Sequence, residues 1–203
     1  YDADMSPLSG AAHKISAEYL FPYLAHTAME PLNCTVHITG QGAAAKADLW
    51  VGTQAPGWEV ATAARILGID VKNVSVHIPM AGGGFGRRAT PACDYVSEAC
   101  QIAKATRAAG IDAPVRMLWS REDDVKGGFY RPMHLHRAEI GFDAQGKVLA
   151  WDHVIVGQSI AKGTAFEGFM IANGVDTTTV EGMREPYEVP MRLSAHQPVL
   201  NAP

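Results

Sequence analysis

Ala81-Gly82-Gly83-Gly84-Phe85-Gly86-Arg87-Arg88 lies between an apolar, strand-like run over 74–78 and a helix-start signal, Thr90-Pro91. Three consecutive glycines strip the backbone of Cβ atoms, so amide N–H groups can approach an anion or an oxo group closely. The helix expected after them turns its positive end toward the same spot. Arg87 or Arg88 adds a candidate charge-assisted contact to phosphate. An ordinary mobile turn is the plainer reading of a glycine run. Phe85 argues against it, because a solvated turn has no use for an aromatic there. A dinucleotide fold is the weaker competitor: GGGFG lacks the GxGxxG spacing, no acid follows about 20 residues on at a strand end, and Glu122 is too far along.

Outward from this loop, the pattern predicts strands over 14–21 and 33–39. The second alternates Cys34, Val36 and Ile38 against Asn33, Thr35, His37 and Thr39. Leu49-Trp50-Val51 is a short strand stopped by Gly52-Thr53-Gln54. Pro56 then opens a helix with Val60, Ala63, Ala64 and Leu67 on one face and Gly68 at its end. Thr90 as cap and Pro91 as first residue start the longest helix, with Tyr95, Ala99, Ile102 and Ala105 as its buried stripe. A strand over 114–119 follows. Two more, over 133–142 and 148–156, flank Asp143-Ala144-Gln145-Gly146 and read as a β-hairpin. The stretch 157–190 has no clean period and reads as loop with one short helix around 166–171. Strands and helices interleave irregularly, so the fold class is α+β, mixed sheets with packed helices.

Bulk properties exclude more than they identify. The 203 residues are 47% hydrophobic, enough for one sizeable domain or two small ones. A formal net charge of −4, with Lys and Arg scattered, gives no footprint for nucleic acid. No apolar run of about 18 residues exists to cross a membrane as a helix. Cys34, Cys93 and Cys100 are too widely spaced for a CxxC site. Cys93 and Cys100, on one helix, would sit roughly 10 Å apart, too far for a disulfide. Three buried thiols is the reading, and it leaves the compartment undetermined. The chain begins at Tyr1 and ends in an apolar phrase over 198–203, so a piece of a longer polypeptide is expected.

A second constellation competes with the glycine loop. His134 and His136 alternate on one strand face, and His153 lies on the partner strand. Together they are a candidate metal site of hydrolase or cupin type, with His26 and Glu30 as possible additions. No HxH…E spacing or HExxH completes the set, so a polar sheet face is the simpler account. The run Ser120 to Asp124 reads as a charged turn. Trp50, Trp58, Trp119 and Trp151 read as core anchors. Glu30 is either a buried acid holding the start of the domain or a residue that supports a bound cofactor from behind.

Strand, AGGGFGRR, helix resembles the glycine loop of the molybdenum hydroxylases, the xanthine oxidase and aldehyde oxidase family. The double arginine is similar to the branch holding isoquinoline 1-oxidoreductase beta subunits and membrane-linked aldehyde dehydrogenases. Other phrases agree in order: His26-Thr27-Ala28-Met29-Glu30-Pro31, Gly52-Thr53-Gln54-Ala55-Pro56, and Ser120-Arg121-Glu122-Asp123 followed by Arg131-Pro132 and Gly146-Lys147-Val148. The similarity covers nearly all of 14–203, and only AGGGFGRR is specific by itself.

The resemblance implies that residues 1–203 are a fragment of a molybdopterin-binding domain, from the N-terminal part of the cofactor-binding half of a large subunit. The Phe85 backbone amide would face a ligand of molybdenum. Gly83, Gly84, Gly86 and Arg87 would line the cofactor, with Gln54 in the next loop. Arg131 matches a substrate-contacting position. The implied cofactor is a molybdopterin cytosine dinucleotide. The implied partners are a small subunit with [2Fe-2S] clusters and a membrane-bound cytochrome c subunit, and the compartment favoured is the periplasm or the periphery of the cytoplasmic membrane. The implied reaction is hydroxylation with water-derived oxygen. Two departures argue against purines as substrates: Ala89 stands where purine-oxidising relatives place a Glu, and Leu24 where they place a Gln. An aldehyde or aromatic N-heterocycle fits better. The family's general base is a Glu in a Gly-Glu phrase. No such dipeptide occurs here, so no catalytic residue is expected in this chain and the base is expected beyond Pro203.

Overall fold

The computed structural model describes residues 2–183 and 189–197. They fall into two compact units, Ala25–Tyr130 and the pair of segments Tyr1–Leu24 with Arg131–Pro203. In chain order the elements are β1 (His13–Phe21), β2 (Asn33–Thr39), β3 (Lys46–Trp50), α1 (Pro56–Leu67), β4 (Val74–His77), α2 (Asp94–Ala108), β5 (Val115–Leu118) and α3 (Arg121–Lys126). They continue with β6 (His134–Phe142), β7 (Val148–Gly157), α4 (Glu167–Met170), β8 (Ile171–Ala172), β9 (Val175–Asp176), α5 (Thr177–Val180) and β10 (Met191–His196).

The 25–130 unit is built on a four-stranded sheet ordered β4-β3-β2-β5. β2 runs antiparallel to β3 and β5, while β4 lies parallel to β3. A parallel neighbour needs a crossover, and α1 supplies it. That helix begins at Pro56 and ends where Gly68 takes the left-handed conformation, φ 72°. The alternation read in β2 holds, with Cys34 and Val36 fully buried against Leu49, Val51, Ala63 and Val96. Each buried Val or Leu here contributes about 1.5–3 kcal/mol of burial free energy.

The longest helix differs from expectation at its start. Thr90-Pro91-Ala92 forms a turn closed by the Cys93 amide on the Thr90 carbonyl, and α2 begins at Asp94. Pro91 fits the second position of a turn as readily as the first of a helix. The buried stripe is also rotated: Tyr95, Val96, Ala99, Cys100 and Ala103 face the core, whereas Ile102 and Ala105 are exposed. Both stripes have helical spacing, and the sheet selects the one carrying Tyr95 beside Val96. The three cysteines are buried thiols, as read, and burial pushes the Cys34 and Cys100 thiols up, Cys100 to about 12. Trp50 corrects the core-anchor reading, because the residue is 41% exposed and its ring stacks on His77.

The other unit holds a sheet ordered β1-β6-β7-β10, antiparallel except for β10 beside β7. The expected hairpin forms. The Asp143 carboxylate accepts the amides of Gln145 and Lys147, both at 2.9 Å, and Gly146 supplies the positive φ of 84°. Between β7 and β10, β8, β9 and α5 add order that no hydrophobic period announces. Fully buried Asp176 provides it, accepting from Ser159 Oγ, the Ala161 amide, the Thr178 amide and Thr178 Oγ1. The α4 segment matches the short helix expected there. Residues 184–188 of the expected loop, and the apolar phrase over 198–203, lie outside the described residues.

Candidate functional site

The glycine loop follows β4 and leads through a short turn into α2. Gly83 and Gly86 adopt φ of 106° and 96°, values open to glycine. Phe85 sits between them at φ 55°, a conformation that bulky residues rarely adopt and that often marks a working site. The Gly82 amide donates to Glu30 Oε2 at 2.6 Å, and the Gly86 and Arg88 amides share Gln54 Oε1 at 3.1 and 3.3 Å. The amides of Gly83, Gly84 and Phe85 have no acceptor among the described residues. Successive unpaired amides with alternating backbone hand form a donor array suited to an anionic or oxo oxygen.

The glycines are also required sterically. A Cβ on Gly84 would stand 2.7 Å from Gln54 Oε1, and one on Gly82 would stand 2.6 Å from Glu30 Cβ. Gln54 therefore braces the loop from behind while its own amide donates to the Arg88 carbonyl at 3.0 Å. Phe85 projects its ring outward, 74% exposed.

Both arginines are buried, which the sequence did not reveal. Arg88 donates through Nε to the Gly83 carbonyl at 2.7 Å, through Nη1 to Gly52 at 3.1 Å and through Nη2 to Glu30 at 3.0 Å. It ties three separate phrases of the sequence together. Arg87 makes a two-pronged pair with Asp94 at 3.0 and 2.5 Å, between the rings of Trp119 and Phe129. Its fork is occupied by the carboxylate, so in this geometry it braces the loop rather than reaching a phosphate. Burial raises the Glu30 carboxyl, but the Gly82 amide, the Asn33 side chain and Arg88 outweigh it and hold the group below its usual range. Of the two roles open to Glu30, this places it in support of the loop.

These observations fit a cofactor held by backbone donors, and the family profile described as Molybdopterin cofactor-binding domain matches residues 3–197. The chain belongs to the molybdopterin cofactor-binding domain family.

Among relatives, isoquinoline 1-oxidoreductase subunit beta of Brevundimonas diminuta is 33% identical over 84% of this chain and 21% of its own length. Aldehyde oxidoreductase molybdenum-binding subunit PaoC of Escherichia coli (strain K12) is 33% identical over 71% of the chain and 18% of its own length. This molybdopterin-binding domain thus spans about a fifth of the length of such relatives. The aldehyde oxidoreductase of Desulfovibrio gigas shares its fold, with a TM-score of 0.63 over 95% of the chain and 20% of that structure at 15% identity. Quinoline 2-oxidoreductase of Pseudomonas putida 86 does so with a TM-score of 0.60 over 77% of the chain and 19% of that structure at 21% identity.

Two further groups in the molybdopterin-binding domain escaped the sequence. The run Ser120 to Asp124 is no mere charged turn. Ser120 and Asp123 form a reciprocal capping box, and Arg121 then reaches the Ala28 and Met29 carbonyls at 2.7 and 2.8 Å, fixing the segment beside Glu30. The Ser-x-x-Asp spacing was the available signal. Glu59, on the buried face of α1, is 2% exposed and meets the Tyr95 hydroxyl. Burial pushes its carboxyl up to about 7, against the lowering effects of Thr53, Tyr95 and Arg88.

The second unit carries Arg131 and the histidines. Arg131 forms an isolated antiparallel bridge with Leu24, and its exposed guanidinium lies over the Phe21 ring, 6.0 Å from the centroid. His136 Nδ1 and His153 Nε2 are 3.1 Å apart, and the His134 ring stacks on His136. No group of three or more His, Cys, Asp or Glu side chains suited to a metal ion exists among the described residues. The alternative reading as a hydrolytic or non-molybdenum metal domain is corrected: His134, His136 and His153 bond and stack among themselves, and the family is another one.

Proposed function

We propose that this domain is the glycine-loop portion of a molybdenum-dependent oxidoreductase subunit that hydroxylates aldehydes or aromatic N-heterocycles. The three unpaired amides of Gly83, Gly84 and Phe85 carry the reading. Phe85 offers its amide to a ligand of the metal. Gly84 lets the loop lie directly against Gln54, Gly83 and Gly86 supply its positive φ, and Gln54 fixes the loop's curvature. Arg87, first read as a phosphate contact, acts by clamping Asp94 at the head of α2. A bound molybdenum–pterin group would supply the two-electron acceptor, and the residues here would orient it.

Arg131 takes the substrate-contacting role, and the residue types Ala89 and Leu24, where purine-oxidising relatives carry Glu and Gln, argue against purines as substrates. The cofactor form is the cytosine dinucleotide. Electrons leave through [2Fe-2S] clusters on a small partner subunit, and a cytochrome c subunit at the membrane is the onward acceptor. Support comes from the relatives' names and from the phrases shared with the family. The general-base glutamate comes from sequence outside these 203 residues. Metal and pterin analysis of the complete subunit tests the reading: molybdenum with a pterin nucleotide is expected, and zinc or iron without pterin would reverse it.

A further inference from the structure

The Tyr95 hydroxyl lies 3.0 Å from the Gly52 carbonyl and 3.1 Å from Glu59 Oε1. A phenol carries one proton and donates once. The carbonyl can only accept, so both contacts are hydrogen bonds only when Glu59 carries a proton and donates it to the tyrosine oxygen. The Gly52 carbonyl also receives Arg88 Nη1 at 3.1 Å, and the same guanidinium holds the Gly83 carbonyl at 2.7 Å. A continuous path therefore runs from the side chain of α1, through α2, to the back of the glycine loop.

We propose that Glu59 is a neutral carboxylic acid in the folded protein and a positioning residue for the glycine loop, acting through Tyr95, Gly52 and Arg88. The consequence for a bound cofactor rests on the molybdopterin reading; the relay rests on this chain alone. The other ionisable groups facing Glu59 are Arg88 from the loop, Cys34 from β2, and Cys93, Tyr95 and Cys100 from α2. Burial raises both Tyr95 and the thiols, so they stay neutral and Arg88 is the one charge among them. Arg88 favours the carboxylate, and burial outweighs it. As pH rises through about 7, Glu59 ionises, Tyr95 turns its single proton to the carboxylate, and Gly52 loses that donor. The relay is complete below that pH and broken above it.

The test is hydrogen exchange at the bonded amides of Gln54, Gly86 and Arg88 in the complete subunit, corrected for the intrinsic pH dependence of exchange. Wild type should lose protection by about 5- to 10-fold between pH 6 and pH 8, the scale of one lost hydrogen bond. Glu59→Gln, whose amide donates to Tyr95 at any pH, should keep full protection across the range. Tyr95→Phe should already show at pH 6 the faster exchange that wild type reaches at pH 8. The same pH profile in wild type and Glu59→Gln, or wild-type protection in Tyr95→Phe at pH 6, overturns the proposal. Molybdenum content of the same preparations bears on the cofactor reading alone, so the two can fail separately.

Discussion

The glycine loop and the histidine face of β6 and β7 are both concentrations of chemistry-bearing residues, and the structure uses them in opposite ways. In the loop, charged side chains point inward: Arg88 holds three carbonyls and Arg87 holds Asp94, while backbone amides over 83–85 remain unpaired. On the sheet, the side chains meet one another, with His153 Nδ1 left without a hydrogen-bond partner among the described residues. His136 bonds His153, and burial first of all holds both imidazoles below their usual range. Burying a cation is expensive unless it is fully paired. Spending two arginines on a loop makes physical sense where the loop's backbone must be held open for something else. Side-chain type pointed to the histidines, and backbone accounting points to the loop.

The comparison breaks most easily at Arg88. Replacing it with Met leaves the carbonyls of Gly83 and Glu30 without this donor and Glu30 without its cation, and Lys cannot restore a three-way fork. Arg88→Met should destabilise the complete subunit by about 3–5 kcal/mol, read as a denaturant midpoint shift. A loss under about 1 kcal/mol would mean the loop does not depend on it.

Arg131 sharpens the contrast between holding cofactor and holding substrate. In the complete enzyme, Arg131→Ala should raise KM about tenfold or more while molybdenum content stays at the wild-type level. Depleted metal with unchanged KM would move Arg131 to the cofactor's support.

The smallest effect belongs to the histidines. His136→Ala should cost about 1 kcal/mol and leave molybdenum untouched. Folded-state pKa values of His134, His136 and His153 lie below 6.5, so the unfolded chain binds more protons there. Their contribution is complete above about 6.5 and is lost as pH falls through the lowered values. Stability of wild type should therefore fall with acidification in that window, and the fall should be shallower in His136→Ala. Loss of molybdenum in that variant would put the sheet face back among the candidate sites.

Much of the fold was legible because apolar spacing wrote it. β2 matches its predicted limits, α1 runs from its Pro to its Gly, and the hairpin turns at Asp143 and Gly146. Where polar side chains determine the structure, spacing was silent. Asp176 organises the region after β7 with hydrogen bonds, and Thr90-Pro91 served a turn as well as a helix start. At the site, glycine frequency and Phe85 located the loop, but a sequence shows nothing of which way an arginine points. Arg87 looked like a ligand contact and pairs with Asp94 in the structure. Glu59 drew no reading from the sequence and is buried, and the partner that makes burial tolerable, Tyr95, lies 36 residues away.

The central claim is that backbone amides over 83–85 hold a molybdenum cofactor, in a loop that a Cβ at residue 84 would push off its Gln54 brace and so displace. Metal analysis of purified Gly84→Val and Phe85→Leu subunits, with thermal melts to establish folding, tests it directly. Gly84→Val should lose molybdenum by about 10- to 150-fold in affinity, from one forfeited hydrogen bond to a charged group of about 1.5–3 kcal/mol. Phe85→Leu keeps the amide and should retain most of its metal. Equal molybdenum in two folded variants would contradict the account and make the loop an ordinary turn.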